Sequence, residues 1–107
     1  MVLKRVFFGA LLCGILCACG TPDMTDASTG ELSGEKIYSF YCISCHGKSG
    51  DLKAGRSADL VQSTLTEEEI QSIIMFGSNK GMNAYKSLLS EEELSVLVTH
   101  VKSLQQN

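Results

Sequence analysis

The sequence predicts an all-α domain of three main helices joined by long loops. Apolar residues recur at helical spacing near residues 34–42, 65–77 and 89–104. Two of these stretches open with the same local pattern, "LTEEEI" at 65–70 and "LSEEEL" at 89–94. Nowhere does the chain sustain the every-other-residue alternation of a half-buried strand.

Taken in order, the chain begins with a basic pair, Lys4 and Arg5, followed by an apolar run from Val6 to Ala18. Such a run is shorter than the roughly 20 residues a membrane-spanning helix needs. It has no polar face, which disfavours a buried helix, and a basic start before a short apolar core is the pattern of an export signal. Its end, Leu16-Cys17-Ala18-Cys19, resembles the lipobox of bacterial lipoproteins. The resemblance implies cleavage before Cys19, a diacylglyceryl thioether on its sulfur and an acyl chain on its new amine. Ordinary secretory cleavage near Ala18, leaving Cys19 free, is the alternative. The stretch "GTPDMTDASTGEL" at 20–32 is small, polar and acidic and reads as a flexible tether with an r.m.s. reach of about 20 Å. The predicted organisation is therefore a lipoprotein signal peptide at 1–18, a lipidated Cys19 and tether at 19–32, and a folded domain at 33–107.

Helix one runs from about Gly34 to Cys42, with Ile37, Tyr38 and Tyr41 on one face. The second and third helices each start with a capping box, Thr66 with Glu69 and Ser90 with Glu93, and with a hydrophobic staple, Leu65 with Ile70 and Leu89 with Leu94. Ile70, Ile73 and Ile74 form the buried stripe of the second, which stops at Gly77. Leu94, Leu97, Val98, Val101 and Leu104 form that of the third. Six of the twelve acidic residues fall in these two first turns, where they complement the helix dipoles, so they need no binding role. A net charge of −3 gives no electrostatic footprint for nucleic acid. The stretch 47–64 carries no helix or strand signal. A loop that long in a small domain is usually functional or wrapped on something, and a core this thin calls for a staple or a cofactor.

The cysteines point to the cofactor. Of five, Cys13 and Cys17 leave with the signal and Cys19 takes the lipid, so Cys42 and Cys45 alone remain in an oxidising compartment. They stand in "YCISCHGKSG" at 41–50, with His46 next. A thioredoxin-like pair would follow a strand in an α/β pattern. A structural zinc site takes four ligands, and Cys45 and His46, being adjacent, are poorly placed to share one ion with Cys42 and the distant His100. C-x-x-C-H is the attachment signature of haem c: two thioethers to the vinyl groups, then an imidazole beneath the iron.

With "SGEKIYSFYCISCHG", "GMNAY" and "LSEEELSVLVTHVKSL" in place, residues 33–106 resemble the class I monohaem cytochromes c of bacterial respiratory chains. That resemblance implies a small cytochrome c fold whose loops wrap one covalently bound haem. It also implies Met82 as second axial ligand, with 35 residues between it and His46, and Tyr85 as the aromatic that follows it. Met24 lies in the tether, Met75 off the apolar stripe, and His100 where the family packs an aromatic against the first helix, near Gly34 and Tyr38. Asn83 replaces the family's proline after the methionine. Ala58 stands where a second proline presents its carbonyl to the proximal histidine, a carbonyl that alanine also has. The function implied is a non-enzymatic electron carrier, lipid-anchored on the periplasmic or outer side of a bacterial membrane and serving respiratory redox partners. From Cys19 onward seven Lys and Arg face twelve Asp and Glu, a net of −5, which favours a partner with a basic docking face. The alternatives are a haem enzyme or gas sensor with a labile methionine, or a relay subunit of an oxidase.

Overall fold

Side-chain caps start the three longer helices. In the computed structural model, which describes residues 19–106, α1 spans Gly34–Tyr41, α2 Ile43–His46, α3 Glu67–Phe76 and α4 Glu91–Leu104. The predicted signal peptide at 1–18 lies outside the described residues. Ser33 caps α1 by accepting from the Lys36 N–H at 3.2 Å. Both predicted capping boxes form: the Thr66 and Ser90 N–H groups each donate to a Glu69 or Glu93 carboxylate at 2.8 Å, and each hydroxyl accepts in return. Predicted helix one is divided at Cys42, whose φ of −115° separates α1 from the single turn of α2. Among the described residues the only strand-like pairing is an isolated bridge, Thr25 with Leu32.

The fold turns on the crossing of α1 and α4. A Cβ at Gly34 would lie 2.2 Å from the Val96 carbonyl oxygen, so the absence of a side chain there lets the two backbones meet. One turn on, the Tyr38 ring packs against His100 with centroids 5.1 Å apart. His100 thus occupies the packing position expected of it. Ile37, Tyr38 and Leu97 are the most deeply buried side chains, and α3 adds Ile70 and Ile74 to the same core. Leu65 and Leu89, the outer halves of the staples, pack on its edge. All five predicted core positions of α4 are buried. By contrast Tyr41 and Ile73, expected inside, are only half-buried.

The segment predicted as tether differs from expectation. Met24 is 7 % exposed and belongs to the core. Its carbonyl accepts from the Ser33 N–H at 2.9 Å, the Asp26 N–H donates to the Glu31 carbonyl at 2.7 Å, and Lys36 Nζ donates to the Thr25 carbonyl. The physical reason is Met24 itself. Burying a methionine contributes about 1.5–3 kcal/mol, and the hydrogen bonds of the turn add to it. Residues 24–32 are therefore part of the fold, and the extended chain is confined to 19–23.

The loop at 47–64 has neither helix nor strand, yet it is tied down. The Leu52 and Ala54 N–H groups donate back to the carbonyls of His46 and Cys45, at 3.0 and 3.1 Å, and Leu60 N–H donates to Gly50 at 2.8 Å. At its far end Lys102 Nζ donates to the Leu65 carbonyl at 2.8 Å, joining α4 to the start of α3.

Candidate haem-binding site

Three loop segments enclose a cavity of about 700 Å³ at the C-terminal end of α1, within the range of pockets that bury a sizeable ligand. Cys42, Cys45 and His46 form one wall and Met82 lies in the lining with them. Tyr41, Ile73 and Leu65 also line it, which explains why these apolar side chains are only half-buried: each turns one side to the cavity.

His46 is 9 % exposed and points one ring nitrogen at protein. Its Nδ1 lies 3.1 Å from the Ala58 carbonyl oxygen, an atom that only accepts, so Nδ1 is the donor and Nε2 is the ring nitrogen left for a metal. That is the arrangement a metal-binding imidazole needs. The bond survives the replacement of the family's proline at 58 because it uses the backbone. Tyr38 adds support by donating its hydroxyl to the Gly47 carbonyl at 2.6 Å. Burial pushes the Tyr38 phenol up to about 12, which keeps it a donor.

The thiols differ. Cys42 is buried and Cys45 exposed, and both are free. Burial, and then the neighbouring Cys45, push the Cys42 thiol up to about 11. A buried thiol that resists ionisation suits a thioether better than a metal thiolate. Among the described residues no three His, Cys, Asp or Glu side chains gather in a metal-binding arrangement.

Met82 is placed by the end of α3. Gly77, at φ +75°, follows the helix, and a Cβ on it would come within 2.4 Å of the Met82 carbonyl oxygen. That carbonyl accepts from the Ser78 N–H at 3.1 Å, and the Tyr85 and Lys86 N–H groups return to the Ile74 and Met75 carbonyls at 2.9 and 3.2 Å. Tyr85 then sets its ring edge-on to Tyr41, with centroids 5.6 Å apart. The other candidates are elsewhere: Met24 is in the core, Met75 lines a separate groove between α3 and α4, and His100 packs on Tyr38. Cys19 is exposed and lies outside the cavity lining.

Residues 30–101 match the family described as cytochrome c oxidase, cbb3-type, subunit III. The chain is 30 % identical over 103 residues to a protein named cytochrome c-551 from Bacillus subtilis (strain 168), covering 89 % of each. It is a class I c-type cytochrome. A cytochrome c6-like protein from Nostoc sp. is 33 % identical over 76 residues, covering 65 % of this cytochrome and 67 % of that protein. Among solved structures, the KustC0563 c-type cytochrome superposes with a TM-score of 0.61 at 30 % identity, covering 69 % of this cytochrome and 99 % of that chain. The fold is accordingly the small all-α cytochrome c fold, the cofactor is a covalently bound haem c, and the work of the protein is electron transfer. The cavity fits that cofactor in size, in its two thiols and in an imidazole oriented by the Ala58 carbonyl.

Two features of the site had no signal in the sequence. The limit that Gly77 sets on Met82 depends on a close approach visible only in the fold. The second is charge: the cavity lining includes Arg56 and Lys80 but no carboxylate, although the cytochrome as a whole is acidic.

Proposed function

We propose that this cytochrome is a membrane-anchored carrier that passes single electrons between respiratory redox partners, with His46 and Met82 as the axial ligands of its haem. The observation that carries this reading is the single cavity whose lining contains both cysteines, the imidazole and the thioether. Haem c, when bound, supplies an iron centre that gains and loses one electron. Cys42 and Cys45 would hold it through thioethers. His46 would ligate through Nε2, its ring oriented by the bond from Nδ1 to the Ala58 carbonyl. Met82 would be the second axial ligand, and a thioether in that position raises the reduction potential. The hydrogen bonds from Ser78, Tyr85 and Lys86 steady the methionine loop where Asn83 replaces a rigid proline. Were His46 and Met82 both to hold the iron, no open position would remain for a substrate, which favours a carrier over an enzyme or gas sensor. Cys19, exposed at the start of the described chain, would carry the lipid that anchors the protein on the periplasmic or outer side.

Carbon monoxide tests the ligand set. Ferrous wild-type protein should be low-spin and bind it slowly, while Met82→Ala should bind it readily and show a lower potential. Met75→Ala and His100→Ala should do neither. If the wild type binds carbon monoxide as fast as Met82→Ala, the sensor or enzyme reading replaces the carrier. The family description, an oxidase subunit, supports a second reading in which the same centre relays electrons inside an oxidase. Extraction in mild detergent separates them: a lone cytochrome supports the carrier, and a stoichiometric oxidase complex the relay.

A further inference from the structure

We propose, building on the reading that Cys19 is acylated, that residues 24–33 are a clip that turns the N-terminal end of α1 toward the bilayer and holds the haem cavity at the far end. The cavity residues Cys42, Cys45 and His46 follow the C-terminus of α1, whose eight residues span about 12 Å. The clip closes on its other end: Ser33, the N-cap, donates to the Met24 carbonyl, and Met24 is locked in the core. The chain from Cys19 to Met24 then spans at most about 17 Å when extended, whereas a free segment of 14 residues, 19–32, would span about 48 Å.

A bilayer pinned within that shorter reach meets the face made by the clip and the first turn of α1. Its charges are Asp23, Asp26, Glu31 and Glu35, and its one cation, Lys36, is engaged with the Thr25 carbonyl. An acidic face is not drawn to anionic headgroups. Attachment therefore rests on the acyl chains, and the face acts as a stand-off. The cavity, lined by Arg56 and Lys80 with no carboxylate, is left free of the membrane.

The test uses the full mature holoprotein in phosphatidylcholine vesicles with a trace of headgroup-labelled fluorescent lipid, whose emission the haem quenches by energy transfer. Mass spectrometry of Cys19 and vesicle flotation test acylation separately. Hydrogen exchange should show the Asp26, Gly30 and Ser33 amides protected, and the fluorescence decay should fit one narrow distance. Met24→Asp should remove that protection and broaden the distances while the haem spectrum stays unchanged. Inserting ten Gly/Ser residues after Gly20 should about double the r.m.s. reach of the free segment and reduce quenching, with the clip amides still protected. Unprotected amides in the wild type would overturn the clip, whether or not Cys19 is acylated. So would an insertion after Gly20 that leaves quenching unchanged. Absent acyl mass with protected amides would leave the clip standing and sink the anchor.

Discussion

Two single residues outside the candidate ligands matter, one to the site and one to stability. Gly77 lies against the backbone of Met82, Asn83 and Ala84, and a methyl group there would need the space of the Met82 carbonyl oxygen, 2.4 Å away, in a left-handed conformation that disfavours any side chain. If Met82 ligates as proposed, Gly77→Ala should weaken its hold on the iron: the weak red-edge absorption band should fade and carbon monoxide binding should quicken, while helicity is largely kept. Unchanged band intensity would show that the loop adjusts elsewhere. His100 controls stability. Burial holds its pKa below the ordinary 6.5, and the nearby Glu35 carboxylate offsets this only in part. The folded state thus binds the His100 proton less readily than the unfolded chain does. Stability tied to this group is fully present above pH 6.5 and is lost as pH falls through its folded value. Melting temperatures at pH 7.5 and 5 should differ more for the wild type than for His100→Gln. An equal difference in both would mean that His100 is titrating as it does when unfolded.

At the level of helices, what was legible and what was not follow from range. Capping boxes, staples and the apolar stripe of α4 rest on neighbours within four residues, so their spacing alone reveals them. The haem motif and His100 were legible because chemistry and family pattern mark them. Met24 was not. One apolar residue in a polar run has no periodicity, and only the packed core shows that it has a place to go. Ile73 and Tyr41 read as core because a helical stripe cannot distinguish a face turned to protein from one turned to a cofactor cavity. The α1–α4 crossing gives a quantitative contrast. Helix propensity alone would have Gly34→Ala stabilise by about 1 kcal/mol. With the Val96 carbonyl 2.2 Å from the new Cβ, the helices must part, and overpacking of this kind costs about 1–3 kcal/mol. Chemical denaturation of the holoprotein should show a net loss. A gain would mean that the crossing yields freely.

For the molecule as a whole, the cavity is as much a part of the folding problem as of the function. About 700 Å³ lined by apolar and half-buried side chains lies beside a small protein core. Cys42→Ser with Cys45→Ser should give a chain with weak far-ultraviolet helicity and no cooperative melt. A double mutant that melts cooperatively with native helicity would show that the protein core suffices alone. The methionine loop carries one more consequence. Its backbone is bonded to the last turn of α3, so Met82 is positioned relative to that helix and not by counting residues from His46. Length can then be gained or lost around exposed Gln62 and Thr64, upstream of α3, without changing the helix from which the methionine is hung. The 35-residue interval between the two axial candidates is, on this geometry, an incidental dimension. A search for relatives by fixed motif spacing would miss chains that differ only there.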